Sequence, residues 1–170
     1  PAMTMTPRLR KFVLTAHVTS SVGWIGAVAG FLALAVAGLT SEDAQMVRAA
    51  YLAMDLTYWD VIVPLGLASL LTGLVSSLGT ERGLFRHYWV LVKLLLIVPA
   101  TLLMLVHTQP VSYLSRIAAE TTLSSADIGA MRIQLAAFAG AALLVLLVAT
   151  TLSTYKPRGR IRYGRSGDVI

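Results

Sequence analysis

Four stretches of the chain contain no Asp, Glu, Lys or Arg: residues 12–41, 61–80, 94–115 and 133–155. Each exceeds the roughly 18 apolar residues that mark a helix able to cross a bilayer. Soluble domains carry about 25% charged residues, whereas this chain has 13% charged and 56% hydrophobic residues. The four runs and their turns use up most of the 170 residues, so no separate soluble catalytic domain is left. The expected fold class is an all-α integral membrane protein, a four-transmembrane-helix up-down bundle. One membrane domain covers residues 1–170, with helices near 9–39, 44–78, 87–107 and 126–154 and a basic cytoplasmic tail over 156–170.

Local signals set these limits. Thr40-Ser41-Glu42-Asp43 supplies a turn and then a helix N-cap, Gln109-Pro110 ends the third helix, and Ser124 to Asp127 suits the cap of the fourth. The longest non-spanning stretch is 111–130. Pro64 and Pro99 fall inside helices and should kink them. Gly23, Gly26 and Gly30, beside Ser20 and Ser21, offer the small-residue contacts that membrane helices use to approach one another. The first apolar run is far longer than a signal-peptide core, so it is expected to be a retained helix.

Ten Lys and Arg flank one side of the predicted bundle (Arg8, Arg10, Lys11, Arg82, Arg86, Lys156, Arg158, Arg160, Arg162, Arg165) and three the other (Arg48, Arg116, Arg132). The asymmetry places both termini in the cytoplasm. The net charge of +6 then reflects topology and anionic headgroups, with no nucleic-acid partner expected. Arg outnumbers Lys eleven to three, as in GC-rich bacterial coding, which points to a bacterial cytoplasmic membrane. With no cysteine, disulfides, Fe–S clusters, thiolate catalysis and Cys-ligated zinc are excluded.

An ionisable side chain near the bilayer centre costs about 2.5–3.5 kcal/mol on insertion scales, which singles out His17, Asp55, Asp60, Lys93 and His107. The rise per residue places His17 about 7 Å and Lys93 about 9 Å into the same leaflet. His17, Ser20 or Ser21, Trp24, Val28 and Phe31 share a helix face, one that suits the wall of a flat aromatic ligand. The plainer alternative is that His17 donates to a carbonyl of a neighbouring helix, Trp24 simply packs and Lys93 snorkels to the headgroups.

The spacing His17-x6-Trp24, the pair Trp89-x3-Lys93, and Tyr51-x2-Met54 followed by Pro64 and Gly73-Leu74 resemble the HemJ-type protoporphyrinogen oxidases and, more loosely, the CopD-like membrane proteins grouped with them. The resemblance covers about residues 12–105. It implies a protein associated with haem b with a catalytic pair, His17 as axial ligand of the haem iron or as a porphyrin contact and Lys93 as its charged partner; Trp89 of the same motif, and Ser21 and Trp24 of the His17 face, are then expected beside the macrocycle. The chain departs from the pattern in lacking a basic residue just after Met54 and in placing His107 fourteen residues beyond Lys93.

The leading expectation is therefore a haem- or porphyrin-binding membrane protein, a redox enzyme of tetrapyrrole metabolism in its strongest form. Copper handling is the alternative: Met104 and His107 share a helix face with Met54 and Asp55 at similar height, and thioether with imidazole suits Cu(I). A non-catalytic subunit of a homo-oligomer or larger membrane complex is the third. Asp60 with His107 would make a proton-conducting pair in a further variant of these readings.

Overall fold

The computed structural model describes residues 5–78, 95–103, 108–119 and 126–155. Helix α1 spans Pro7–Thr40. Thr6 caps it by accepting from the Leu9 N–H, and Pro7 occupies the first turn, where no backbone donor is needed. Asp43 caps α2 (Ala44–Thr57) by accepting from the Gln45 N–H at 2.9 Å, as the turn sequence predicts. A π turn at Tyr58–Ile62 joins α2 to α3 (Val63–Leu78) without a break. Segment α4 covers residues 95–103, α5 is Thr108–Ala119 and α6 is Ala126–Tyr155.

Three helices are long and apolar enough to cross a membrane: Pro7–Thr40, Ala44–Ser77 and Gly129–Ser153, with mean hydropathies of 2.1, 1.6 and 2.4. Of the span expected at 87–107, residues 95–103 are helical and the remainder lies outside the described residues. All regular structure among the described residues is helical. At 1.5 Å per residue a 34-residue helix is about 51 Å long, well beyond a hydrocarbon core of about 30 Å. The first two of these helices are therefore longer than one crossing requires.

α1 is the central helix and packs against α2, α3 and α6, while α5 lies on α2. Its buried residues Ser20, Trp24, Val28, Phe31, Ala35 and Gly38 step by four, four, three, four and three, a seam of coiled-coil type. That seam meets Val47, Tyr51 and Met54 of α2, Tyr58 and Ile62 of the π turn, Leu114 of α5 and Leu135 of α6 in one core. The opposite faces are apolar as well: Phe12, Val22, Leu71 and Leu144 are all at least 60% exposed. A surface of that kind is matched to lipid.

The structure adds detail to three expectations. Pro64 sits immediately after a widened turn in which the Val63 N–H reaches back five residues to the Tyr58 carbonyl, and such a π bulge is, like proline, one of the usual causes of a helix bend. Gln109-Pro110, expected to end the third helix, lie within the helical residues Thr108–Ala119, while residues 104–107, where that end is expected, lie outside the described residues. Of the glycines expected to bring helices together, Gly23 touches Leu65, but no described atom approaches within 4 Å of a Cβ placed on Gly26 or Gly30. The close approaches occur instead at Gly38, Gly66 and Gly73.

Candidate functional site

His17 and Trp24 stand seven residues apart on α1, two helical turns on one face. On α3, running the other way, Gly66 and Gly73 have the same separation. A Cβ placed on Gly73 would lie 3.0 Å from His17 Cε1, and one on Gly66 would lie 3.0 Å from Trp24 Cε2. Each ring thus rests on bare backbone, and any larger residue at either glycine would push a ring away.

Once seated, the imidazole meets polar groups of α3. His17 Nδ1 is 3.0 Å from the Ser69 carbonyl oxygen and 3.2 Å from Thr72 Oγ1. The Thr72 hydroxyl donates to the Ala68 carbonyl at 2.6 Å, so its oxygen is an acceptor toward His17. A carbonyl can only accept; Nδ1 therefore carries the proton, and in the neutral ring Nε2 bears the lone pair. This is the plainer alternative of the sequence reading, a histidine donating to a neighbouring helix carbonyl. It is also the arrangement that orients a metal-ligating histidine.

Ser69 is buried, and its hydroxyl lies 2.7 Å from that of Ser21. Ser20, expected on the same face, turns its hydroxyl back to the His17 carbonyl at 3.1 Å. His17, Ser21, Trp24 and Ser69 line a small, partly open cavity together with Ile25, Ile97 of α4 and Leu146, Ala149 and Thr150 of α6. Its volume is about 30 Å³. The donor chemistry of His17 fits an iron ligand, but a cavity of that size does not admit a macrocycle in this packing.

The other singled-out residues are dispersed. Asp55 accepts from Ser112 Oγ of α5 at 3.1 Å, and Trp59 Nε1 donates to the same hydroxyl at 3.4 Å. Met54 is fully buried in the apolar core, Asp60 is exposed among the described residues and so is Arg10. Arg86, Trp89, Lys93, Met104 and His107 lie outside the described residues, as does the 156–170 tail. Among the described residues no group of three or more His, Asp or Glu side chains converges.

Sequence reasoning missed Ser69, Thr72 and the two glycines as parts of the site. A signal was present, because Gly66-x6-Gly73 repeats the His17-x6-Trp24 interval, but matching two intervals requires knowing that the helices pair. Comparison with family models, with curated proteins and with solved structures finds no match to the chain.

Proposed function

We propose that this chain is a four-span protein of a bacterial cytoplasmic membrane, with both termini cytoplasmic, whose working centre is His17 and whose ligand there is a haem or porphyrin. The observation that carries the reading is the hydrogen bond from His17 Nδ1 to the Ser69 carbonyl. It leaves Nε2 as the donor atom toward an iron and fixes the ring plane. The spacing resemblance to the HemJ-type oxidases supports the same residue, with Lys93 as its charged partner, and a redox role in tetrapyrrole metabolism is its strongest form. Haem would supply one-electron chemistry when bound; the chain supplies an oriented imidazole, the Ser21 and Ser69 hydroxyls and an indole wall.

The reading makes a structural demand. With Ile97, Leu146, Ala149 and Thr150 where they stand, the site offers about 30 Å³, so macrocycle binding requires that wall to part from α1. Nothing favours copper over haem among the described residues, since Met54 is buried in the core and Asp55 is engaged by Ser112.

The test is the visible spectrum of protein purified from haem-replete cells and of apoprotein titrated with haem. A Soret band that is lost in His17→Ala, with helicity retained, supports the reading. A colourless protein that cannot be reconstituted, or an unchanged band in His17→Ala, removes it.

A further inference from the structure

We infer that the acyl chains of the bilayer cover this bundle only from Phe12 to the level of Asp60, and that the end beyond Asp60 is a helical head standing outside the hydrocarbon. The head comprises residues 31–40 of α1, α2, α5 and the first turns of α6. The placement holds whether or not a haem binds.

Contacts along α1 give a common scale of height. His17 meets Gly73, Ser21 meets Ser69, Trp24 meets Gly66, Phe31 meets Tyr58 and Gly38 meets Tyr51. Every step up α1 thus matches one step back along α3 and α2, which sets Asp60 opposite Ala29 or Gly30. From Phe12 to Gly30 is about 27 Å at 1.5 Å per residue, close to a hydrocarbon core of about 30 Å. Residues 12–30, 61–78, 95–103 and 133–155 contain no Asp, Glu, Lys or Arg. Asp60, Asp55, Arg48, Asp43 and Glu42 follow one another beyond that level, and Arg132 joins them through its bond to the Gly38 carbonyl.

The packing changes at the same height. Lipid tails are as apolar as leucine, so helices inside a membrane associate through small residues and polar contacts. Below Asp60, α1 and α3 meet at Gly66 and Gly73 and through the Ser21 and Ser69 hydroxyls. In water, burial of large apolar side chains drives association, and the largest fully buried side chains, Tyr51, Met54 and Leu114, all belong to the head. Trp59, exposed beside Asp60 with its indole N–H toward Ser112, suits the interface between the two regimes.

The placement changes the chemical status of the charged residues. Asp55, Asp60 and Arg132 then carry none of the cost of a charge in hydrocarbon. His17 is left as the one Asp, Glu, Lys, Arg or His side chain among the described residues within the acyl layer.

The chain has no cysteine, so single-cysteine variants of the whole protein in lipid nanodiscs, which leave both faces open, can be timed against a charged maleimide. The pairs are Leu56→Cys with Leu71→Cys, Ile133→Cys with Val148→Cys and Val36→Cys with Val22→Cys. All six positions are at least 45% exposed, so only lipid can shield them. Because maleimide attacks the thiolate, which apolar surroundings suppress, the first member of each pair is expected to react at least about tenfold faster, with equal rates after unfolding in SDS. That order in every folded pair supports the head. Equal or reversed rates in any folded pair overturn it; a bilayer centred on the middle of Ala44–Ser77 would shield Leu56 more than Leu71 and reverse the first.

Discussion

The imidazole of His17 rests on the backbone of Gly73, where even a methyl group would stand 3.0 Å from Cε1. The ring cannot swing clear without giving up the Ser69 carbonyl and the Thr72 hydroxyl. Gly73→Ala is therefore expected to be net destabilising by roughly 1–2 kcal/mol, overpacking outweighing the gain of up to about 1 kcal/mol from helix propensity. Gly26→Ala, with no described atom near its Cβ, should be neutral or stabilising. Unfolding of the two variants side by side in detergent checks this; equal stability of Gly73→Ala and wild type would show that the ring is not seated as described.

The bond from His17 Nδ1 to the Ser69 carbonyl predicts a tautomer. In ¹⁵N-histidine spectra at a pH where the ring is neutral, the His17 signal, assigned by its loss in His17→Ala, should show a protonated Nδ1 and a bare Nε2. Thr72→Val should leave that pattern in place, because the carbonyl remains as acceptor. An Nε2–H ring would contradict the geometry and remove the donor atom on which iron ligation depends.

At the far end of α1 a second polar contact joins three helices. Arg132 of α6 donates through Nε to the Tyr51 hydroxyl of α2 at 2.8 Å and through Nη2 to the Gly38 carbonyl of α1, its guanidinium 5.7 Å from the centre of the Tyr51 ring. The Gly38 carbonyl belongs to the last turn, where helical partners run out. Arg132→Ala should cost about 1–3 kcal/mol through the unmet groups it leaves, and Arg132→Lys should not restore it, because one ammonium does not reproduce a planar two-armed donor. Tyr51→Phe should cost less, about 0.5–1.5 kcal/mol. Additive losses in the Arg132→Ala, Tyr51→Phe double variant would mean that the two side chains do not act together.

What the sequence made legible follows from what periodicity can carry. Apolar runs and the Asp43 cap reveal helices, and the shared face of Ser20, Trp24, Val28 and Phe31 marks the buried seam, because these are properties of one helix at a time. The groups that receive His17 belong to pairs of helices: Ser69, Thr72 and Gly73 look like ordinary small residues of an apolar run until α3 is laid antiparallel on α1. Arg132 likewise reads only as a charge at a helix start until Gly38 and Tyr51 meet it. The π turn escaped because proline announces a disturbance without specifying whether the helix will kink or widen.

The number of spans decides where the C-terminus lies. The three helices Pro7–Thr40, Ala44–Ser77 and Gly129–Ser153 alone would put the two ends of the chain on opposite sides of the membrane, since an odd number of crossings reverses the side. A fourth crossing over 87–107, of which residues 95–103 are helical, returns the C-terminus to the side of the N-terminus. The ten-to-three distribution of Lys and Arg favours the even count, because only then do Arg8, Arg10 and Lys11 share a compartment with the basic residues beyond Tyr155. Reporter fusions at the N-terminus and after Tyr155 should therefore both report cytoplasm, and an insertion within α5 the opposite side. An N-terminus and C-terminus on opposite sides would establish three crossings and leave Lys93 without the leaflet depth that pairs it with His17.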